Sequence, residues 1–262
     1  MASAAGTGRL QLRICDTLPP MTVLLAIGVL GLWEWLRPAR RQPGRWGVRT
    51  LNLAIGLFNG VLLRVALPAG LATWAAIATT QLGRSPAPAW VGLLVLDLAL
   101  YWQHRACHRF RPLWRLHAPH HSDTDLDLTT GLRFHPLEAG ASALWKGAVI
   151  LAVGIGPTTV WIFEAVLVAA SCFSHANLAW SGRWARILDL VWMTPACHWV
   201  HHGLALRDQS RNLAFSITLW DWIFGTRCPG RLDQPVGLPW VPATDTESAW
   251  KFLVLPFKNI KL

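Results

Sequence analysis

Ten histidines lie between positions 104 and 202 of the 262-residue chain, and eight of them fall in three tight motifs. His104-Arg-Ala-Cys-His108 spaces two imidazoles one helical turn apart, while His117-Ala-Pro-His120-His121 and His198-Trp-Val-His201-His202 share the offsets i, i+3, i+4. On a helix those offsets bring side chains within about 100° of one another, so each motif aims its rings to one side. Neutral imidazole ligates Zn, Fe, Cu and Ni, and each ion takes about four to six donors. Eight nitrogens are too many for one ion and enough for two. The spacing therefore predicts a dinuclear metal site made almost entirely of histidine. A lone histidine is ordinarily a core or surface residue, but no structural demand calls for three repeated spacings.

The other two histidines stand apart. His175 shares a helical face with Glu164 and Ser171 and is a further candidate ligand; His135, in Arg133-Phe-His135-Pro136-Leu-Glu138, reads as half of a loop-anchoring His–Glu pair or as a group behind the ligands. Metal-bound imidazoles usually donate their second N–H to a carboxylate or carbonyl. Asp97 is one candidate acceptor, because it shares a helical face with Tyr101, His104 and His108, and a carboxylate in an apolar span is expensive. Glu138 and Asp221 are others. Asp123, Asp125 and Asp127 read equally well as ligand-orienting groups or as a solvated turn, and Asp189 lies near the third motif. Ser171 and Ser174 beside His175 lack a GxSxG elbow, so nucleophilic catalysis is not indicated.

The elements that must carry these residues are greasy. The chain is 53% apolar and 15% charged, with a net charge of +10, 17 Trp and one Tyr, and its mean hydropathy is +0.33. This excludes disorder, a nucleic-acid tail and most soluble enzymes, and indicates a multi-pass protein of the inner or plasma membrane. The five cysteines form no CxxC pair, so a disulfide framework is not expected. Met21–Leu36 is an apolar run without a signal-peptide cleavage site and reads as a retained span. The arginines at 37, 40, 41, 45 and 49 that follow mark a cytoplasmic loop, which puts the N-terminus outside. Leu51–Thr80 reads as one long kinked helix, with Arg64 its costly feature, and Trp90–Trp102 as the next crossing; the loop around Gln81–Pro88 then lies outside. Ala139–His175 is split by Gly154-Ile-Gly156-Pro157 into a thin hairpin or re-entrant pair that returns to the side it left.

The motifs, in this order on hydrophobic helices, resemble the fatty acid hydroxylase/sterol desaturase superfamily of membrane oxygenases. Beyond the histidines, His117–Asp127 (HAPHHSDTDLD), Thr130–Glu138 (TGLRFHPLE), Ser174–Leu178 (SHANL) and Leu219–Thr226 (LWDWIFGT) carry the likeness. The resemblance implies an all-α integral membrane bundle of about four to five embedded helices, with a cytoplasmic histidine-rich cap over a dinuclear site. It implies ligation by His104, His108, His117, His120, His121, His175, His198, His201 and His202. It also implies two irons, with zinc as an occupant of purified protein, and O2 as co-substrate. Some members carry a histidine where this chain has Ser171, so Ser171 or water would complete that coordination. Ala196-Cys197 also departs from the acidic-hydrophobic pair common there. The expected organisation is residues 1–50 as tail, first span and basic loop, 51–226 as the catalytic domain and 227–262 as a polar C-terminal tail.

The function implied is O2-dependent hydroxylation or desaturation of a lipid such as a fatty acyl chain or sterol, without a nucleic-acid partner. Neither a haem domain, a ferredoxin motif nor a GxGxxG stretch stands in the sequence, so the electrons are expected from a separate donor protein. The alternative from another class is a membrane zinc or iron transporter or metal-binding protein. Transporters place their ligands near mid-bilayer, whereas these motifs sit at helix ends beside arginines.

Overall fold

A computed structural model of the chain describes residues 18–66, 70–83, 85–179 and 182–258. Arg9, Arg13 and Cys15 lie outside the described residues, and with them the expected outward N-terminus. The described residues are helical, and their only β pairings are the isolated bridges Pro38–Leu178, Trp192–Ile217 and Gly203–Val236. The longer helices are α1 (Leu18–Leu36), α2 (Trp46–Ala66), α3 (Gly70–Thr80), α4 (Ala89–Arg109), α5 (Arg111–His121), α6 (Pro136–Val153) and α7 (Pro157–His175). Shorter ones follow: α8 (Arg183–Val191), α9 (Pro195–His201), α10 (Leu206–Gln209), α11 (Leu219–Ile223) and α12 (Ala249–Val254).

Proline sets where the histidine helices begin. Pro112, Pro136, Pro157 and Pro195 each occupy the first turn of α5, α6, α7 and α9, where the missing N–H costs nothing. Phe110 is extended between α4 and α5, and this break turns the chain back so that α5 packs along α4. At the far end of α6, Gly154 adopts φ 76°, a left-handed cap that favours glycine, and starts the turn into α7. The Gly154 carbonyl accepts from Ala87 N at 3.1 Å, so the 81–88 loop and the α6–α7 turn share the end opposite the histidines. The expected hairpin is thus present, and it returns to the side it left.

The trunk core is formed by α3, α4, α6 and α7 through Ala75, Leu96, Leu100, Ile150, Val160 and Phe163. Outward-facing Leu57, Phe58, Val61, Val65, Leu144, Trp145, Ile162 and Val166 remain exposed, as lipid-facing residues would be. Three helical stretches are long and apolar enough to cross a membrane: Trp46–Thr80, Pro136–Val153 and Pro157–His175. Val23–Leu36 is a shorter apolar helix. The expected kinked helix over 51–80 divides into α2 and α3, and its joint at 67–69 lies outside the described residues. Helix α4, expected as a crossing, carries Asp97, Gln103, His104, Arg105, His108 and Arg109, which lower its hydropathy. Two short helices, α8 and α11, point Trp184, Ile187, Leu190, Leu219, Trp222 and Ile223 outward, the pattern of helices lying in an interface.

The basic segment after α1 is partly internal, which the sequence reading did not foresee. Arg45 is buried and bidentate on Asp123, at 3.0 and 3.1 Å, and also reaches Asp127 at 3.1 Å. Arg49 adds a 3.1 Å contact to Asp127 and lies 3.7 Å from Glu34. Burial opposes the Asp123 charge, but Arg45 and Arg133 outweigh it and hold the carboxyl below its usual range. Asp123 and Asp127 are therefore neither ligand-orienting groups nor a solvated turn; they anchor α1 and α2 beside the histidine layer. This contact also puts the basic loop and the histidines on one side of the molecule. The segment after Thr226 packs rather than trails: Leu238, Val241 and Leu255 form a cluster with Trp114 and Ala118 of α5.

Replacing Arg45 with Met leaves two buried carboxylates without their main partner, a loss of about 3–5 kcal/mol. The expected fall in thermal midpoint is roughly 10 °C in detergent, with Arg45→Lys between the two. A midpoint within about 2 °C of the parent would show that this network contributes little.

Candidate metal centre

The three histidine motifs and His175 meet in a buried layer at one end of the trunk, in two groups. Ligand-capable atoms of His104, His108, His117, His121 and His201 lie within 4.8 Å of one another, as do those of His120, His175, His198 and His202. All nine expected ligands are brought together. The motifs do not map one to a group, however. His117 and His121 face the first group while His120 faces the second; His198 and His202 face the second while His201 faces the first. In both five-residue motifs with three histidines the i and i+4 rings stay together and the i+3 ring crosses over. His121 stacks on His202 at 4.2 Å between ring centroids, where the groups meet.

Hydrogen bonds behind the rings decide which nitrogen carries the proton. Nδ1 of His104 donates to the Leu213 carbonyl at 2.7 Å, and Nδ1 of His201 to the Arg211 carbonyl at 3.0 Å. Nδ1 of His117 donates to Glu138 Oε1 at 2.5 Å, that of His120 to the Arg133 carbonyl at 3.2 Å, and that of His175 to the Ser171 carbonyl at 2.7 Å. A neutral imidazole has one N–H, so each of these five rings turns a bare Nε2 lone pair inward. In the first group Nε2 of His104, His108, His117, His121 and His201 is buried and lacks a hydrogen-bond partner among the described residues. In the second, His175 Nε2 lies 3.1 Å from Nε2 of each of His120, His198 and His202.

One lone pair on His175 cannot serve three neighbours, and His120 has no proton there to give. Such convergence is repulsive without a cation. Two nitrogens about 2.1 Å from one ion, at roughly right angles, stand about 3.0 Å apart, close to the observed spacing. Burial, reinforced by the neighbouring imidazoles, pushes His120, His121, His198, His201 and His202 well below their ordinary pKa. They are neutral at pH 7, the form that ligates. The donor set and its orphaned lone pairs fit two metal ions, and nitrogen donors alone suit iron or zinc.

Several expected supporting roles move. Asp97 accepts from Trp220 Nε1 at 2.8 Å rather than from His104, whose partner is Leu213. Their common helical face did not bring Asp97 to a ring, because the Asp97 carboxylate points toward α11. His135 caps α6, accepting from Leu137 N at 3.2 Å, and its Nε2 donates to the Leu253 carbonyl. Glu138 is therefore paired with His117 and not with His135. Asp221 accepts from Leu213 N, Ala214 N and Thr226 Oγ1, so it holds the loop whose Leu213 carbonyl orients His104. Ser171 Oγ donates to the Gly131 carbonyl at 2.8 Å, which fixes its hydroxyl hydrogen and leaves its lone pairs free. A Cβ on Gly131 would fall 2.6 Å from the Ser171 carbonyl oxygen, so only glycine lets that turn approach α7.

Sequence reasoning missed the carbonyls of Arg133, Arg211 and Leu213, since every residue has a carbonyl and nothing in the sequence marks these. It also missed two aromatic walls. Phe134 stacks on His120 at 4.4 Å and 12°, and Phe215 packs on His104 at 5.1 Å. Both line a cavity of about 310 Å³ that runs from the histidine layer between α2, α4, α6 and α7.

The fatty acid hydroxylase family model matches residues 89–226, just over half of the chain. The chain belongs to the fatty acid hydroxylase family. It is 28% identical over 223 residues to the alkylglycerol monooxygenase of Xenopus tropicalis, covering 82% of this chain and 48% of that protein. The ornithine lipid hydroxylase OlsE of Rhizobium tropici is 31% identical over 137 residues, 52% of this chain and 40% of its own length. A Delta(7)-sterol-C5(6)-desaturase of Nicotiana tabacum is 28% identical over 141 residues, 51% of this chain and 47% of its own. The chain thus spans about half or less of the length of these relatives. No solved structure matches it. The matched segment holds all ten histidines of this family member, whereas Arg45 and Arg49 precede it.

Two predictions follow from the ring geometry. Glu138→Ala removes the acceptor behind His117 and should weaken metal binding about 10–100-fold, read by titration with a competing chelator; unchanged affinity would remove Glu138 from the site. The second concerns acid. His120, His121, His198, His201 and His202 have depressed pKa values in the folded chain, so unfolding takes up protons below the unfolded value of about 6.5. Their stabilising contribution is complete above that pH and declines as pH falls, by up to about 1.4 kcal/mol per pH unit per ring. Metal-free protein should lose thermal stability steeply between about pH 6.5 and 5; a flat profile there would contradict neutral burial.

Proposed function

We propose that the chain is a membrane di-iron oxygenase that inserts oxygen into, or desaturates, a C–H bond of a lipid. For hydroxylation the balance is RH + O2 + 2 electrons + 2 protons giving ROH + H2O. The electrons come from a separate donor protein, and the histidine layer faces the cytoplasm, as the arginines beside it favour. The observation that carries the reading is the set of bare Nε2 lone pairs in two groups beside a cavity. The relatives' names, a monooxygenase, a lipid hydroxylase and a sterol desaturase, point the same way.

Bound by the two groups, irons would supply reductive activation of O2 and the oxidising power for an unactivated C–H bond. The protein's part is positional. His104, His117, His120, His175 and His201 are each held by an acceptor on Nδ1, which keeps Nε2 directed inward. Phe134 and Phe215 form the wall between the rings and the cavity and exclude water there. The cavity admits a lipid chain from among the helices to the edge of the histidine layer. Residues 51–226 form the catalytic unit in this reading, and 227–258 close over α5.

The test is metal content and product on protein purified without oxygen. About two exchange-coupled irons per chain are expected by Mössbauer spectroscopy on iron-57 protein, with one atom of label from 18-O2 in a hydroxylated lipid. His121→Ala and His198→Ala should each abolish turnover and lower metal content, the first acting on one group and the second on the other. A single labile zinc that crosses liposomes would favour transport instead.

A further inference from the structure

The cavity has a polar end that ligation does not require. Lys146 of α6 lies buried within an apolar helix, and its Nζ donates to Glu164 Oε1 of α7 at 2.6 Å. Both line the cavity, together with Asn59 of α2 and with Ser142, whose Oγ donates to Gln103 Oε1 at 3.1 Å. Asn59 is 7% exposed and donates through Nδ2 to the Phe134 carbonyl at 2.7 Å. Its Oδ1 is buried and has no partner among the described residues. Eight residues separate Glu138, on the histidine side, from Lys146, a rise of about 12 Å along the helix.

Stability does not account for this arrangement. Charges inside a membrane helix are costly and usually functional, and a buried ion pair replaced by apolar residues of similar volume is often neutral or stabilising. We propose that Lys146 and Glu164 bind the uncharged hydroxyl-bearing end of a lipid, placing a carbon about 12 Å away beside the histidines, where Asn59 and Phe134 line the cavity. The inference rests on the lipid-oxygenase reading of the same site. Lys146 keeps two N–H groups beyond the one given to Glu164, while Glu164 Oε2 is an acceptor. A hydroxyl both donates and accepts, so it satisfies the two kinds at once. A carboxylate head would face the Glu164 carboxylate, and an ammonium head would face Lys146. At about 310 Å³ the cavity holds a head and part of a chain, with the rest left among lipids.

The test is equilibrium binding of tritiated hexadecan-1-ol to the purified, delipidated full chain, with palmitate and hexadecane as competitors of equal chain length. Unlabelled hexadecanol should compete about tenfold better than either, the worth of a hydrogen bond to a charged group. Lys146→Met with Glu164→Leu, which removes both charges at similar volume, should lose that advantage, with metal content unchanged. If that pair of substitutions does not yield monodisperse protein, Glu164→Gln supplies the comparison, with a loss of about threefold or more. Hexadecanol binding equal to the parent, or palmitate competing better than hexadecanol, overturns the proposal. Metal-free, inactive protein whose hexadecanol binding still depends on the pair would instead overturn the oxygenase reading and leave the head site standing.

Discussion

Nine imidazoles, all buried but for the half-buried His108, turn their inward nitrogens toward one another in two groups, an arrangement that a shared positive charge stabilises. Five of the rings are committed by an acceptor behind them to present an unprotonated Nε2, and the same burial keeps protons from taking the cation's place. The demand for positive charge in each group is thus built in by hydrogen bonds made on the outer side of the rings. Any change that removes an acceptor relaxes that demand and lets the ring turn or bind a proton.

Most of the remaining polar structure supports those acceptors. Arg133 donates to the Pro119 carbonyl at 3.1 Å and to Asn52 Oδ1 at 2.8 Å, while its own carbonyl receives His120. Its buried guanidinium lies over Phe252 at 4.8 Å, and burial draws its pKa down to about 10. Asp127 caps the 3-10 turn Leu128–Leu132 and holds Arg45 and Arg49, which tie α2 to the same place. Asp221 performs the equivalent task for the 213–226 loop. These networks lie at the boundary where the apolar trunk ends, so their charges can be paired without being carried through hydrocarbon.

That boundary also joins the two chemistries that the proposed function calls for. Histidine ligands require a polar, hydrogen-bonded surround, whereas a lipid chain requires an apolar passage. Phe134 and Phe215 belong to both, each touching a histidine on one side and the cavity on the other. The helical trunk walls the cavity, and the ion pair at Lys146 and Glu164 is one of the polar interruptions to its apolar lining.

The sequence alone determined the break at Gly154–Pro157 and the eight motif histidines that meet, because proline, glycine and short repeated spacings are local signals, while the helical class and the place of His175 among them followed from the family resemblance. It did not determine how those histidines divide. His120 and His201 cross to the group opposite their motif neighbours, and that depends on how α5 and α9 pack against each other and against α7. Carbonyl acceptors were equally illegible, since their role is given by position and not by residue type. Asp97, Asp123 and Asp127 show the same limit for charges: helical phase placed Asp97 beside the ligands and spacing left the other two open, yet their partners are Trp220, Arg45 and Arg49, the arginines some 80 residues away in sequence. Only the tertiary fold decides such partners, because the energy of a buried charge depends on what is brought within about 3 Å of it.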